Sequence, residues 1–238
     1  MSLTFIGEKE IPFQNQVVIQ AFSGSGLVSI ISAKHIIGEL GLHLLGYLDS
    51  DLIPPLALVE DGVVKRPIQI FGNKEYILVM SQANISQKNL KSFIRELFAW
   101  YDSLGVTSLR ILAGLPTGRE NSALSTNVEI VATDERTLTE LGFLGVKSMT
   151  SGFVFGSIAV SLLEAQGRRI SAIAFLSNCI PSIPDFLAAK DLLSKFAEIE
   201  MKELDLMYLE IRSNELREKL SKEDFDPYDS DVKYDDFR

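Results

Sequence analysis

Side chains that carry nucleophilic or metal-binding chemistry are scarce in this chain. Its 238 residues include one cysteine, Cys179, and two histidines, His35 and His43. A zinc site needs several such ligands at set spacing, and a disulfide framework needs paired cysteines. The sequence therefore predicts no metal, no cofactor and no disulfide, and a reducing cytoplasm is the expected setting. We expect Cys179 to be a buried structural residue and His35 to be an ordinary core or surface histidine.

Long apolar runs and an excess of positive charge are missing as well. No apolar stretch is long enough to cross a bilayer, and no N-terminal signal peptide is recognisable. The formal net charge of −9 argues against nucleic acid as a main partner. We therefore expect a cytoplasmic protein with no membrane and no nucleic-acid partner. Because 46% of its residues are apolar, the chain can fill a sizeable core.

The stretch from Gln16 to Ile37 predicts the start of an α/β domain. A β-branched run, Val17-Val18-Ile19, is typical of a buried strand. It ends at Ser23-Gly24-Ser25-Gly26, and helical periodicity follows at once from Leu27. Ser25 is the expected N-cap of this helix.

The glycines of this turn do not complete a nucleotide-binding motif. A dinucleotide fingerprint needs a third glycine, but Ser29 occupies that position after Gly24 and Gly26. No Gly-Lys-Ser/Thr follows, which excludes a Walker loop, and no G-x-S-x-G nucleophile elbow is present. We therefore expect a tight strand-to-helix turn whose glycines allow close packing.

Several strands after the first helix are joined by short turns. Residues 56–64 predict a hairpin that turns at Asp61-Gly62, and residues 67–80 predict a second that turns at Gly72-Asn73. Adjacent antiparallel strands of this kind favour a mixed sheet over a regular βαβ alternation.

Four later helices are indicated by apolar periodicity. Ser86 is expected to cap the clearest one, which ends at Gly105. Residues 152–166 are apolar almost all round and predict a helix buried on most sides, with Gly152 and Gly156 one turn apart. Asp185 is expected to open another helix. A leucine stripe marks the last: Leu206, Leu209, Leu216 and Leu220.

Two predictions concern which side chains are buried and which are exposed. The core is expected to bury one set together: Val17, Ile19, Leu27, Ile31, Phe155 and Ile158. Three apolar residues outside the main helical stripes, Leu192, Ile199 and Tyr208, are expected on the surface of the last helices. Because exposed apolar patches usually mark contact sites, we expect a homo-oligomer that uses them.

Two polar segments are candidates for partner binding. Residues 114–127 form a polar, glycine-containing connection of 14 residues, which is long for a compact domain and contains Arg119. Residues 221–238 carry three basic and seven acidic residues. We expect one αβα domain over residues 1–222 and a flexible acidic tail over 223–238.

The order of four motifs resembles the proteasome assembly chaperone 2 family, in its archaeal branch. The motifs are AFSGSGLVSIISAKHIIGEL, PPLALVEDGVVKRPIQIF, SGFVFGSIAVSLLE and IPSIPDFLAAKDLLSKFAEIE. Each is loose by itself, but their order and spacing together are fairly specific, and the resemblance runs through roughly residues 10–220.

This resemblance implies a three-layer αβα sandwich with a mixed sheet, of the phosphorylase/hydrolase-like kind. It implies ATP-independent chaperones that bind proteasome α-subunits and help them form rings. Some archaeal members form homo-oligomers and dock through a C-terminal hydrophobic–tyrosine–any-residue tail. Here Asp236-Phe237-Arg238 keeps the penultimate aromatic but lacks the hydrophobic residue. The candidate partner-binding residues are Arg119, Tyr234, Phe237 and Arg238.

No set of residues in the sequence forms a catalytic constellation, so an enzyme is not expected. The same architecture nevertheless hosts enzymes. The alternative is therefore a protein that binds a nucleotide or an anion, or a hydrolase/phosphorylase-like enzyme. Its site would combine the Gly24/Gly26 turn with the 114–127 loop.

Overall fold

A computed structural model describes residues 3–7, 15–116, 128–143, 146 and 148–221. Within these residues the chain forms ten strands and six α-helices. The strands are β1 (Thr4–Ile6), β2 (Val17–Phe22), β3 (His43–Asp49), β4 (Leu58–Glu60), β5 (Val63–Lys65), β6 (Ile68–Gly72), β7 (Tyr76–Ser81), β8 (Ser108–Pro116), β9 (Val128–Ala132) and β10 (Ser171–Cys179). The helices are α1 (Val28–Glu39), α2 (Gln87–Leu104), α3 (Glu135–Phe143), α4 (Gly156–Gly167), α5 (Phe186–Glu200) and α6 (Met207–Ser221).

Eight strands form one mixed sheet in the order β1-β3-β6-β7-β2-β8-β10-β9. The inner strands β7, β2, β8 and β10 run parallel to their neighbours in this group. The outer pairs β1–β3, β3–β6, β6–β7 and β10–β9 are antiparallel. Strands β4 and β5 form a separate two-stranded sheet. The predicted mixed sheet and both predicted hairpins are confirmed.

Helices cover both faces of the sheet and give three layers. One core lies between the sheet and α1, α5 and α6, and a second lies between the sheet and α2 and α4. Strand β2 serves both cores, because Val18 belongs to one and Ile19 to the other. A strand covered on both faces is expected to be continuously apolar, which explains the run at Val17. The predicted three-layer αβα architecture is confirmed.

The turn after β2 differs from the predicted capped helix start. Ser25–Leu27 forms one 3-10 turn, with Gly26 and Leu27 in the left-handed region at φ 61° and 48°. No side chain caps α1, so the prediction that Ser25 is its N-cap is wrong. Instead the Ser29 hydroxyl donates to the Phe22 carbonyl and ties the first turn of α1 to the end of β2.

The apolar segment 152–166 is only partly helical. Helix α4 begins at Gly156, whose φ of 67° is left-handed, and Phe155 before it is extended. Gly152 therefore lies outside the helix, and the predicted spacing of one turn between Gly152 and Gly156 is wrong. Phe155 is exposed and not buried, while Ile158 is partly buried in the core beside α2.

The other core predictions separate into buried and half-buried side chains. Ile19 and Ile31 are buried, as predicted, whereas Val17 and Leu27 are half-buried against the same core. Helix α2 ends at Gly105 with φ 74°, as predicted; Ser86 occupies the predicted N-cap position, but its side chain makes no capping bond. Strand β8 extends to Pro116 and therefore includes the first three residues of the connection predicted over 114–127; residues 117–127 lie outside the described part of the chain.

Candidate functional site

The glycine turn after β2 is held against the connection between β10 and α5. The Gly26 N–H donates to the Pro181 carbonyl at 3.4 Å, and the Asp185 N–H donates to the Gly26 carbonyl at 2.8 Å. A Cβ at Gly26 would lie 3.0 Å from the Ile180 carbonyl oxygen. A Cβ at Gly114 would lie 2.3 Å from the Ser25 carbonyl oxygen. Glycine is required at both positions because two backbone segments meet here.

The crevice beside this turn is too small for a nucleotide. It lies at the carboxyl ends of β2 and β8, where ligands bind in many open α/β sheets, but it holds only about 40 Å³. Small-molecule pockets usually hold about 300–1,000 Å³. Its most polar wall is already engaged: Gln20 donates to the Ser161 hydroxyl at 2.8 Å and accepts from the buried Tyr101 hydroxyl at 3.5 Å. Among the described residues, the crevice therefore lacks the space that the alternative function needs, and residues 117–127 of its predicted site lie outside them.

Cys179 and His35 have surroundings that fit structural roles. Cys179 is buried, as predicted, and burial raises the pKa of its thiol to about 12, with the Asp185 carboxylate adding to the shift. His35 donates from Nε2 to the Asp205 carbonyl at 2.7 Å and stacks on Tyr208. Over the described ranges, no cluster of three or more His, Cys, Asp and Glu could hold a metal ion. The same ranges contain no helix with the length and apolarity that a bilayer crossing requires.

Two exposed phenylalanines stand immediately before α4. Phe153 and Phe155 are 82% and 74% exposed, and their ring centroids lie 6.3 Å apart. We call these two residues the aromatic pair. The extended backbone before Gly156 places both rings outside the core. Large aromatic side chains supply much of the binding energy in protein interfaces, so this pair is a strong candidate contact site.

A second exposed apolar surface lies at the junction of α5 and α6. It consists of Met201, Met207, Tyr208 and Ile211, and we call it the terminal patch. The sequence prediction for this region is partly wrong. Leu192 is fully buried and Ile199 packs half-buried on the core, so Tyr208 alone of the predicted trio is exposed. Leu192 follows Ala189 by three residues and therefore falls on the core-facing side of α5.

A third exposed apolar surface is carried by the β4–β5 hairpin. Val59 and Val64 are each 68% exposed, and Val63 is 54% exposed. A cleft of about 630 Å³ opens at the base of this hairpin. Arg66 and Asp49, both on its wall, form an ion pair at 2.8 Å.

The predicted partner-binding residues lie elsewhere. Arg119, Tyr234, Phe237 and Arg238 all fall outside the described residues, so their roles stay predictions. Sequence reasoning missed the aromatic pair, because the apolar run around it resembles a buried helix. It also missed Met207 and Ile211, although their spacing of four residues on the side of α6 opposite buried Leu209 is visible in the sequence.

Comparison with known proteins places these surfaces on a shared fold. The model of the PAC2 family matches residues 18–223. The uncharacterized protein MJ0106 of Methanocaldococcus jannaschii is 26% identical over 185 residues, which cover 77% of this chain and 75% of that protein.

Two crystal structures from Pyrococcus furiosus are similar over nearly their whole length. PbaA, described as an archaeal homolog of proteasome-assembly chaperone, has a TM-score of 0.83 and 22% identity, covering 93% of this chain and 91% of PbaA. PbaB, described as an archaeal proteasome activator, has a TM-score of 0.81 and 19% identity, covering 93% of this chain and 98% of PbaB. At these identities the likeness establishes a common fold.

Proposed function

The chain belongs to the PAC2 family, and from this premise we propose that it is an ATP-independent, proteasome assembly chaperone-like protein. It binds proteasome α-subunits or related assembly factors and assists the formation of their rings. We propose a cytoplasmic homo-oligomer that works through protein contacts. The net charge of −9 favours protein partners over nucleic acid.

The exposed aromatic pair is the observation that carries this proposal. Phe153 and Phe155 are adjacent rings at an extended segment, and neither is covered by the described part of the chain. Exposed apolar groups of this size usually mark interaction sites. A chaperone needs such a surface to hold subunits before their own interfaces form. The narrow crevice at Gly24 gives no comparable support to a small-ligand function.

Capture of purified proteasome α-subunits by the tagged, full-length chain tests the proposal. We expect capture without added nucleotide, and we expect the double variant Phe153→Ala/Phe155→Ala to weaken it at least tenfold, because truncating an aromatic anchor commonly costs about 2 kcal/mol or more. Phe143→Ala is the matched control, because Phe143 is 86% exposed at the end of α3. Capture that fails for the wild type would refute the proposal, and equal capture by the double variant would remove the aromatic pair from the contact.

Thermal shift with nucleotides, nucleosides and phosphate tests the alternative function directly. A ligand present at 100 times its Kd adds about 2.7 kcal/mol to the free energy of unfolding. We expect no shift with any of these compounds. A clear shift that disappears when Gly24 is replaced by a bulky residue would support a small-molecule site at the turn.

A further inference from the structure

Helix α4 rests on the sheet through its small and polar residues. Ser161 and Ala165 are fully buried, and the Ser161 hydroxyl accepts a hydrogen bond from the Gln20 side chain at 2.8 Å. Leu163 lies on the opposite side of the helix, because two residues turn a helix by about 200°, and it is 68% exposed. A helix that is apolar almost all round is normally buried on most sides. The outer face of α4 therefore lacks a covering layer in the described part of the chain.

The outer face of α4 continues into the aromatic pair. Gly156 precedes Leu163 by seven residues, which is two turns, so both lie on the same side of the helix. The aromatic pair comes directly before Gly156, and residues 152–163 include no charged side chain. One apolar surface therefore runs from the aromatic pair along the first two turns of α4.

Helix α2 lies beside this surface and runs in the same direction as α4. The Arg95 guanidinium binds the Glu164 carboxylate at 3.1 Å, and Arg168 binds Asp102 at 2.9 Å. Residue numbers rise together in these two pairs, so the N-terminal halves of the two helices are neighbours. One turn before each member of the first pair, Lys91 of α2 lies level with residue 160 of α4.

The side of α2 next to α4 is basic. Lys88, Lys91 and Arg95 are exposed and recur at spacings of three and four residues, so they lie on one side of the helix. Lys88 and Lys91 take part in no ion pair with the described residues, and we call these two residues the lysine flank. The first acidic residue of α2, Glu96, is turned to another side and accepts from the Ser50 hydroxyl at 3.0 Å.

The two helix N-termini add to the positive potential at this end of the molecule. Neither α2 nor α4 has a side-chain cap at its N-terminus. Because the helices run in the same direction, the positive ends of both helix dipoles lie near the lysine flank. The first acidic residue of α4, Glu164, is already bound by Arg95 and Arg168. An apolar surface with positive charge along one edge is thus built into a chain of net charge −9.

We infer that the outer face of α4, the aromatic pair and the lysine flank together bind an acidic amphipathic helix of the client, an identity that rests on the proposed function. The open surface is one helix wide, which suits the apolar face of a partner helix. Carboxylates along one edge of that helix would meet the lysine flank and fix its orientation. The net charge of −9 repels an anionic membrane, which favours a protein helix over a lipid surface as the occupant.

Two synthetic helical peptides test the chemistry of the surface without the client. Both carry the same apolar stripe, flanked by glutamate in one peptide and by lysine in the other. We expect the full-length chain to bind the glutamate peptide several-fold more tightly at low salt, although its net charge favours the lysine peptide. Lys88→Glu/Lys91→Glu should reverse this order, and high salt should reduce the difference.

Lys74→Glu/Lys219→Glu is the matched control for these measurements. It changes the net charge equally at two exposed lysines that lie outside α2 and α4, so it should keep the wild-type order of the two peptides. The inference is overturned if the wild type binds neither peptide or does not prefer the glutamate peptide. It is also overturned if Lys88→Glu/Lys91→Glu keeps the wild-type preference.

Binding kinetics with purified proteasome α-subunits separate this inference from the proposed function. Lys88→Glu/Lys91→Glu should slow association several-fold with little change in dissociation, because charges at the edge of an interface act mainly on encounter. Phe153→Ala/Phe155→Ala should mainly speed dissociation. Equal association rates for the wild type and the lysine variant would overturn the inference and leave the proposed function intact. If the wild type does not bind α-subunits, the proposed function fails and the peptide measurement alone decides the inference.

Two further measurements address other occupants of the surface. Sedimentation equilibrium should give the lysine variant the same mass as the wild type, and neither protein should sediment with phosphatidylserine vesicles. A smaller mass for the variant would assign the surface to a second copy of the chain. Vesicle binding by the wild type that the variant loses would assign it to a membrane, and either result would overturn the inference.

Discussion

At the residue scale, Gly114 is a position where the packing leaves no room for a side chain. Replacing Gly114 by Ala would place a Cβ 2.3 Å from the Ser25 carbonyl oxygen and 2.8 Å from the Cys179 sulfur. We expect this substitution to lower the free energy of unfolding by about 1–3 kcal/mol, because backbone and a buried sulfur cannot both move away. Urea unfolding followed by circular dichroism measures the change.

Gly38→Ala is the matched control for this prediction. Gly38 lies in α1, and a Cβ there meets no atom within 4 Å. The same chemical change should therefore raise the free energy of unfolding by about 0.4–1 kcal/mol, because alanine restricts the unfolded chain. A Gly114→Ala protein as stable as Gly38→Ala would contradict the close approach of β8 to the turn after β2.

The raised pKa of the Cys179 thiol predicts that the folded protein loses stability at alkaline pH. Burial raises the pKa of its thiol from 9.0 to about 12, so the folded protein holds this proton at pH values where the unfolded chain has released it. The thiol's contribution is therefore complete below pH 9 and declines as the pH rises towards 12. Urea unfolding at pH 8 and pH 10 should show a larger loss for the wild type than for Cys179→Ala. An equal loss in both proteins would show that this thiol is not responsible.

At the scale of elements, the side chains at the N-cap positions of α2 and α5 can be compared, because one makes capping hydrogen bonds and the other does not. The Asp185 carboxylate accepts from the Ala188 N–H and the Ile180 N–H, both at 2.9 Å, whereas the Ser86 side chain makes no capping bond. Asp185→Ala should lower the free energy of unfolding by about 1–2 kcal/mol, and Ser86→Ala should change it by less than about 0.5 kcal/mol. Thermal and urea unfolding measure both, and equal effects would mean that the carboxylate bonds add nothing.

Helices whose apolar residues repeat at regular spacing could be predicted from the sequence. Helix starts that depend on left-handed backbone dihedral angles could not. The face of α2 was clear because Phe93, Leu97 and Tyr101 repeat at helical spacing, and all three are buried. The start of α4 was missed because the left-handed φ of Gly156 is invisible in an apolar run. The same limit applies to Ser25, which is displaced from the cap position by the left-handed Gly26 and Leu27.

At the scale of the whole molecule, the acidic segment 223–238 is proposed to help hold the client. It carries Phe225, Tyr228, Tyr234 and Phe237 between its acidic residues. Aromatic residues can act as anchors while the charges steer the encounter. Deleting 223–238 should leave melting temperature and subunit number unchanged but weaken capture of α-subunits, and Phe237→Ala should reproduce part of that loss. Equal capture by full-length and truncated chains at low salt would assign the contact to residues 1–222.

The layered architecture was predictable, but the candidate contact surfaces were not. The hairpin turn at Gly72-Asn73 and the apolar strand at Val17 predict a mixed sheet with both faces covered. Exposure of the aromatic pair depends on where α4 begins, and exposure of the terminal patch depends on which face of α6 meets the core. Hydrophobicity alone assigns Phe155 and Leu192 to the same class, yet the first is exposed and the second is buried.

The position of β2 in the sheet has a consequence for the newly made chain on the ribosome. Strand β2 pairs with β7 on one side and β8 on the other, and Ser81 at the end of β7 precedes Ser108 at the start of β8 by 27 residues. At about 5–20 residues per second, this interval lasts roughly 1–5 seconds. During that time the apolar β2 presents an open edge, which is a template for pairing with other chains. The protein is itself proposed to protect the subunits of another assembly. During each round of its own synthesis, it nevertheless exposes an unpaired strand edge.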